Sequence, residues 1–172
     1  MASEDKNVAL FVTALKNAHS MEKEAQQIIS RQLDRLKNYP KVEERLRLHL
    51  NETNTQMQRL DDVLAELGTG ASGFKDVITG LVGNMVALGH APMGDEILKD
   101  SFANFAFENF EIAAYNSLFT IAESLGETGR IGALRASLKE EEAMAAWLAE
   151  NLADVTNTYM RLRATDGVDA SH

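Results

Sequence analysis

Five glutamates lie on helix faces that are otherwise apolar, and they are the residues of this sequence best suited to chemistry. The stretch from Phe102 to Ala122 contains two of them, Glu108 and Glu111, three positions apart and therefore on one side of a helix. A carboxylate that faces an apolar interior costs several kcal/mol unless a positive group meets it. A divalent cation is such a group, so the pattern predicts a metal site. The candidate ligands are Glu22, Glu52, Glu108, Glu111 and Glu141, together with His49 and Gln56.

The acids are predicted to lie at matching heights in a helical bundle. In two antiparallel helices joined by a turn, residues equally far from the turn are level. Glu111 and Glu141 are equally far from residue 126, and Glu22 and Glu52 are equally far from residue 37. Bundle cores that gather carboxylates in this way typically hold two iron or manganese ions. We therefore expect a site for two iron ions, with manganese as the alternative.

The histidines depart from the usual ligand pattern of such sites. Dinuclear carboxylate sites commonly use a Glu followed three positions later by a His, whereas His49 and His19 precede Glu52 and Glu22 by three positions. Each of these histidines is either a ligand or a hydrogen-bonded residue that orients a carboxylate. Gln56 is likewise either an oxygen ligand or a hydrogen-bond partner of an acid.

Other polar residues near the acids leave further alternatives open. Tyr115 is either a hydrogen-bond donor to a ligating carboxylate or an aromatic core residue. Arg59 offers the main alternative to a metal, which is a salt-bridge network that neutralises some of the acids. Glu140 and Glu142 flank Glu141 in sequence and are expected on a solvated face of the helix.

Four long helices are predicted to position these residues. Apolar residues recur every three or four positions from about Glu4 to Lys37, Val42 to Leu67, Gly94 to Leu125 and Arg130 to Leu162. The glycine-rich stretch from Thr69 to Pro92 contains an amphipathic patch, which predicts a short helix inside a long crossover. A long crossover lets the helices that it joins run parallel, as in ferritin-like bundles. The prediction is an all-α, ferritin-like antiparallel four-helix bundle, with a single domain over residues 1–165 and a flexible C-terminal tail over residues 166–172.

The third helix has more large apolar residues than one bundle core can take. Its predicted inward stripe is Phe105, Glu108, Ile112, Tyr115 and Phe119, with Glu111 at the edge. Four of its phenylalanines cannot all face that core, so some are expected to meet the crossover helix or a second subunit, which favours a homodimer. These are Phe102, Phe107, Phe110 and Phe119.

The composition excludes several classes of function. The 172 residues contain no cysteine, which removes disulfides, thiolate metal sites and cysteine nucleophiles. The formal charge of −9 disfavours binding to nucleic acid or to an anionic membrane, because both need a basic surface. No apolar run approaches the roughly 18 residues of a membrane-spanning helix, and no signal peptide is recognisable. We expect a cytoplasmic protein whose partners are divalent metal ions.

Several segments resemble the YciE/YciF-type ferritin-like family of bacterial stress-associated proteins. The segments are HSMEKE around Glu22, HLNETNTQMQRLDDVLAELG from His49 to Gly68, ENFEIAAYNSL from Glu108, and LKEEEA around Glu141. That family usually has a tyrosine where this chain has His19. The resemblance covers nearly the whole chain, and it implies a ferritin-like bundle, a dimer and a dinuclear metal centre.

Two functions fit these observations. The first is a ferritin-like metal-binding protein whose dinuclear iron or manganese site reacts with dioxygen or peroxide in stress defence, as a ferroxidase- or peroxidase-like oxidoreductase. The second is a non-catalytic structural or interaction protein of the same fold, which the missing Glu-x-x-His histidines favour. No phosphate-binding loop or nucleophile elbow is present, so a reaction would need the metal. The sequence leaves open whether the protein is an enzyme.

Overall fold

Four long helices make up the part of the chain that the structure describes. The structure is a computed structural model, and it describes residues 2–69 and 94–172. Within these residues α1 spans Ala2–Arg35, α2 spans Pro40–Glu66, α3 spans Glu96–Leu125 and α4 spans Leu134–Arg163, and there is no strand. The all-α prediction is confirmed. The predicted crossover helix lies outside the described residues.

The helix ends follow the turn chemistry of the sequence. Pro40 occupies the first turn of α2, where its fixed φ suits a helix and its missing N–H is not needed. Gly126 ends α3 with φ 73°, a left-handed conformation in which glycine has no Cβ penalty. The N–H of the next residue, Glu127, returns to the carbonyl of Ala122. The fourth helix begins at Leu134, later than the predicted Arg130, because Arg130 belongs to a turn closed on the Glu127 carbonyl.

Along each helix, successive buried residues are mostly three or four positions apart, which is the spacing of a bundle core. In α3 this series places Glu108 and Glu111 both at its centre, so the prediction that Glu111 lies at the edge of the stripe was wrong. Phe105, predicted to face inward, is 43% exposed. Positions that repeat every seven residues stay on the helix face that contacts the other helices. The predicted stripe left that face at Phe105. The buried residues of α3 are Ile97, Ser101, Asn104, Phe107, Glu108, Glu111, Tyr115, Leu118, Phe119 and Ala122, so Phe119 is buried as predicted.

Each helix packs against two neighbours, and neighbours are antiparallel. α1 lies against α2 and α3, and α4 lies against α3 and α2. Paired residues show the direction, because their numbers rise on one helix as they fall on the other. The pairs are Glu22–Tyr115 and Gln32–Asn104 between α1 and α3, and Lys41–Asp154 and Arg59–Ser137 between α2 and α4. Since α2 and α3 are both antiparallel to α1, they are parallel to each other and diagonal, as the ferritin-like connection requires.

Two apolar clusters fill the two ends of the bundle, and a polar layer lies between them. The first cluster includes Phe11, Leu64 and Phe119, and the second includes Val42, Leu148 and Tyr159. Burial of such side chains stabilises the fold by about 1.5–3 kcal/mol each. The polar layer contains buried residues from all four helices. They are Glu22, His49, Thr53, Gln56, Glu108, Glu111, Ser137 and Glu141.

The end of the chain folds back onto one end of the bundle. The hydroxyl of Tyr39 donates a hydrogen bond to the carbonyl of Ala170, and the N–H of Ile97 donates to the carbonyl of Ser171. Ala170 is buried within the second apolar cluster. The tail was expected to be mobile because its residues are small, polar and without helical periodicity. In the structure the carbonyl groups of Ala170 and Ser171 accept hydrogen bonds from donors at the α1–α2 turn and at the start of α3.

Candidate metal centre

Four buried side chains from three helices meet in the polar layer. His49 comes from α2, Glu108 and Glu111 from α3, and Glu141 from α4. Each offers one ligand atom, and these atoms all lie within 4.8 Å of one another. The exposed fraction of each residue is 4% or less. The structure thus brings together four of the residues that the sequence predicted.

A fourth predicted acid, Glu22, completes the layer from α1. It is fully buried, and its Oε1 accepts a hydrogen bond of 2.5 Å from the hydroxyl of Tyr115 on α3. Tyr115 is therefore both a core residue and a hydrogen-bond donor to a candidate ligand. The charges of His49 and Glu108 act on Glu22 closely enough to affect its pKa. All four helices contribute to one polar centre.

Gln56 ties α2 to α4 at this level. Its amide nitrogen Nε2 donates to Glu141 Oε1 and also to Glu140 Oε2, the latter over 3.0 Å. Its Oε1 is buried and has no hydrogen-bond partner among the described residues. Gln56 is thus a hydrogen-bond partner of an acid through its nitrogen, while its oxygen remains available to a cation.

His49 is oriented by Glu52, and Glu52 stands outside the cluster. Nδ1 of His49 lies 3.0 Å from Glu52 Oε2, so Nε2 points at the acids, 3.2 Å from Glu108 Oε2 and 3.5 Å from Glu141 Oε2. We expected Glu52 to face inward as a ligand. Instead the guanidinium of Arg45, seven residues earlier on α2, binds it at 3.0 Å. Glu52 is placed to fix the ring of His49 with Nε2 directed toward the acids.

The remaining predicted polar residues lie away from the cluster. His19 Nε2 pairs with Asp61 at 3.3 Å, near the surface between α1 and α2. Arg59 does not neutralise the buried acids, because its guanidinium forms a two-pronged pair with Glu140, at 2.6 Å and 3.0 Å. Glu140 was expected on a solvated face, yet it is only partly exposed. Glu142 is exposed, as predicted.

The cluster has buried polar atoms that form no well-aligned hydrogen bond among the described residues, although His49 Nε2 and Glu108 Oε2 lie 3.2 Å apart as an ion pair. Native interiors leave few buried polar atoms without a partner. Seven such atoms lie in the polar layer, and Arg35 Nε is the only other one found on the described residues. All seven are carboxylate oxygens, an amide oxygen or an imidazole nitrogen, which are atoms that can donate an electron pair to a metal ion. The seven are Glu22 Oε2, His49 Nε2, Gln56 Oε1, Glu108 Oε2, Glu111 Oε1 and Oε2, and Glu141 Oε2.

Burial and neighbouring charges raise the pKa values of three of the buried acids. Burial, together with the nearby charge of Glu22, raises the pKa of Glu111 well above its usual range. Burial and the charge of Glu108 raise the pKa of Glu141 to about 10. Burial also raises the pKa of Glu22 to about 8, although the hydrogen bond from Tyr115 lowers it. For His49, burial acts to lower the pKa, but the charge of Glu108 and the hydrogen bonds of the carboxylates outweigh it and raise the pKa to about 10.

These properties fit a divalent cation better than they fit a closed network of acids. Carboxylate, amide and imidazole groups are ligands of iron and manganese. An acid network without a cation avoids repulsion between its buried carboxylates only by keeping some of them protonated, which requires raised pKa values. Two positioning groups, Glu140 and Arg45, were missed by the sequence reasoning. Arg45 lies seven positions before Glu52, and that heptad spacing is the signal that was available.

A comparison with protein-family models places most of this chain in one family. The model described as domain of unknown function (DUF892) matches residues 7–161. Among curated proteins, Protein YciF of Escherichia coli (strain K12) is 28% identical over 138 residues, which is 78% of this chain and 82% of that protein.

Solved structures share the fold along most of their length. The crystal structure of the E. coli stress protein YciF matches with a TM-score of 0.76 and 26% identity, over 88% of this chain and 97% of that one. A protein from Xanthomonas campestris pv. campestris matches with a TM-score of 0.76 and 26% identity, over 92% and 99%. YcfI, a candidate structural protein from Rhodopseudomonas palustris, matches with a TM-score of 0.74 and 26% identity, over 83% and 92%.

Proposed function

This chain belongs to the DUF892 family, and we propose that it is a ferritin-like metal-binding protein that holds two iron or manganese ions in the polar layer of its bundle. The observation that carries the proposal is the meeting of the buried ligand atoms of His49, Glu108, Glu111 and Glu141, all within 4.8 Å of one another. The proposed ligands are Glu22, His49, Glu108, Glu111 and Glu141, with Gln56 offering its Oε1.

Charge supports two ions rather than one. The cluster contains four carboxylates, those of Glu22, Glu108, Glu111 and Glu141. Two divalent cations would match these four negative charges, whereas one would leave two buried charges without a partner. Glu52 does not enter this balance because Arg45 neutralises it. One imidazole among many carboxylates favours iron or manganese over copper or zinc, which take more nitrogen and sulfur ligands.

The surrounding residues prepare the site for redox chemistry. Bound iron or manganese supplies electrons to dioxygen or peroxide and polarises it as a Lewis acid. Tyr115 holds Glu22 by its hydroxyl and keeps a proton at that oxygen. Glu52 holds the ring of His49 so that Nε2 faces inward. The two apolar clusters above and below the layer limit the access of water, which strengthens electrostatic interactions inside.

Metal loading tests the proposal directly. Metal-free protein is mixed with Fe(II) without oxygen, separated from unbound metal, and analysed for bound iron. We expect about two ions per chain, and a marked loss of bound iron in Glu108→Gln. Glu142→Gln is the matched control, because it removes the same charge from an exposed position. Binding of no metal by the wild-type protein, or equal loss in both variants, would overturn the proposal.

A second function, a non-catalytic structural or interaction protein, rests on two observations. The histidines of the usual Glu-x-x-His motifs are missing, since Thr55 and Met144 stand three positions after Glu52 and Glu141. YcfI, which shares the fold, is named as a candidate structural protein. The two functions differ in turnover. Rapid consumption of peroxide by the iron-loaded protein, lost in Glu108→Gln, would exclude the non-catalytic function.

We extend the proposal to the setting in which the protein works. The E. coli relative is named a stress protein, which supports a role in oxidative defence in the cytoplasm. The acidic charge of −9 argues against nucleic acid as a partner. Among the described residues no helix has a long enough apolar run to cross a bilayer.

Phe102 and Phe105 are 53% and 43% exposed on α3, which supports a homodimer that light scattering can test.

A further inference from the structure

The seam between α2 and α4 is polar where it passes the cluster. Gln56 and Arg59 on α2 face Ser137 and Glu140 on α4, and every one of these four side chains takes part in a hydrogen bond across the seam. The Glu140 side chain is 23% exposed, whereas Glu141, the next residue, is fully buried. Adjacent positions on α4 therefore place one carboxylate at the surface and one in the cluster.

Gln56 joins these two carboxylates. Its Nε2 donates to Glu140 Oε2 over 3.0 Å and also to Glu141 Oε1. Its Oε1, which is buried, has no partner among the described residues. The amide nitrogen of Gln56 thus links the outer Glu140 to the inner Glu141, and all three side chains carry oxygen atoms.

Arg59 closes the outer end of that link. Its guanidinium binds both oxygens of Glu140, at 2.6 Å and 3.0 Å, and also donates to Ser137 at 3.1 Å. A two-pronged Arg–carboxylate pair is among the stronger ionic contacts in proteins. While the pair is formed, Glu140 carries no unpaired charge that would attract a cation.

We propose that this seam is the entrance through which divalent cations reach the cluster, with Glu140 as the outer acceptor, Gln56 as the relay to Glu141, and Arg59 as the group that closes it. The proposal rests on the proposed metal-binding function and names how that site is filled. A cation that leaves water must exchange its hydration oxygens for protein oxygens, since passage through apolar side chains leaves the charge without partners. The α2–α4 seam supplies such oxygens at successive depths.

The α1–α2 and α1–α3 contacts are less suited to the entry of a cation. Between α1 and α2 the described contacts are Gln26–Asn54 at 2.6 Å and His19–Asp61 at 3.3 Å. Neither pair has a described hydrogen bond to a cluster residue. On the α1–α3 side, Tyr115 already occupies Glu22 Oε1, and both residues are fully buried. An ion entering there would first have to break a buried hydrogen bond.

The rate of Co(II) uptake tests the entrance separately from the affinity of the site. The chain has a single tryptophan, Trp147, two turns after Glu141 on α4, and a paramagnetic ion bound in the cluster is expected to quench its fluorescence. Stopped-flow mixing of metal-free protein with Co(II) gives the association rate, and equilibrium dialysis gives the number of ions bound. Glu140→Gln and Glu142→Gln remove the same charge on either side of Glu141, so they form a matched pair.

We expect Glu140→Gln to slow association about tenfold, the lower end of the effect of charged entrances on rates, without changing the number of ions bound. Glu142→Gln is expected to keep the wild-type rate, and Arg59→Gln to raise it because the outer carboxylate is freed. If Arg59→Gln does not fold, Arg59→Lys replaces it, with the same expected direction. Circular dichroism melts establish that each variant is folded.

Three results would overturn the entrance. The first is an equal rate in Glu140→Gln and Glu142→Gln. The second is a lower number of bound ions in Glu140→Gln, which would make Glu140 a ligand. The third is slower uptake when Arg59 is replaced. If the wild-type protein bound Co(II) but these differences were missing, the entrance alone would fail. If the wild-type protein bound no metal, the proposed function would fail as well.

Discussion

The hydroxyl of Tyr115 on α3 donates a 2.5 Å hydrogen bond to Glu22 Oε1 on α1, and neither residue is exposed to solvent. The bond joins two helices at the height of the cluster and leaves Glu22 Oε2 without a partner. It also lowers the pKa of Glu22, which burial otherwise raises. Tyr115 therefore positions one carboxylate and eases its ionisation, and both effects favour a bound cation.

Replacement of Tyr115 by phenylalanine is expected to weaken metal binding. Removing a group that orients a ligand typically costs 10–100-fold in metal affinity, and the pKa of Glu22 would rise further without the hydroxyl. Competition titration against a chelator of known affinity measures the effect. Tyr159→Phe is the control, because its hydroxyl donates to the Gly94 carbonyl at 2.8 Å, at the far end of the bundle. Equal affinities of the two variants would show that Tyr115 is only a core residue.

Replacement of Glu111 by glutamine is expected to change stability in opposite directions with and without metal. Both oxygens of Glu111 are buried without hydrogen-bond partners. In the metal-free protein this acid lowers the free energy of unfolding, and glutamine is expected to raise it. In the loaded protein the substitution removes a ligand, and the stabilisation by mass action falls. Thermal melts with chelator and with Mn(II) measure the change in Tm of the metal-free and of the loaded protein. Destabilisation in both conditions would instead support a structural acid network.

The height of the cluster could be predicted from the sequence because turns define level positions in antiparallel helices. Glu111 and Glu141 meet in one layer, as their equal distances from residue 126 indicated. The direction in which a side chain points around the helix axis depends on its interaction partners, and the sequence pattern does not identify these. Glu52 turned toward Arg45 on its own helix, so height alone did not place it in the cluster.

Contacts between different helices were the least predictable part of the site. The pairing of Arg59 with Glu140 depends on the relative rotation of α2 and α4, which no local pattern encodes. For the same reason Glu140 was assigned to a solvated face from its position beside Glu141. The docked tail is a similar case, because its hydrogen bonds use backbone carbonyls, which every residue has.

Replacement of Glu52 by glutamine is expected to weaken metal binding without removing a ligand. The carboxylate of Glu52 accepts from His49 Nδ1 and from Arg45, and a neutral amide would hold the ring less firmly and leave Arg45 without its partner. We expect a loss of about tenfold in affinity, measured by the same competition titration. Glu43→Gln is the matched control, because Glu43 pairs with Arg47 on the same helix at a partly exposed position. An unchanged affinity in Glu52→Gln would contradict the assigned role.

The metal-free protein is expected to lose stability as the pH rises. The folded-state pKa values of Glu22 and Glu141 are raised to about 8 and about 10, and that of His49 to about 10. The folded state therefore keeps protons that the unfolded state has already released, so the free energy of unfolding falls with pH above the ordinary pKa of glutamate. Chelator-treated protein should have a lower Tm at pH 9 than at pH 5. The opposite order would show that these acids are ionised or paired in the folded protein.

Metal affinity should have the opposite dependence on pH. A cation displaces protons from the carboxylates and from His49, so binding releases protons and strengthens as the pH rises. Calorimetric titration with Mn(II) in two buffers of different ionisation enthalpy counts the released protons at each pH. Binding that releases no proton at pH 6 would contradict the raised pKa values of the cluster.

Deletion of residues 169–172 is expected to destabilise the bundle without affecting the metal site. The deletion removes the acceptors of Tyr39 and Ile97 and exposes the apolar surface under Ala170. Because water can replace part of what is lost, we expect the free energy of unfolding to fall by about 1–3 kcal/mol. Urea denaturation measures this change, and Val168→Ala, an exposed position just before the docked segment, is the control. These contacts lie in the second apolar cluster and not in the polar layer, so metal affinity should keep its wild-type value. A stability equal to that of the full chain would show that the tail moves freely in solution, as its sequence suggested.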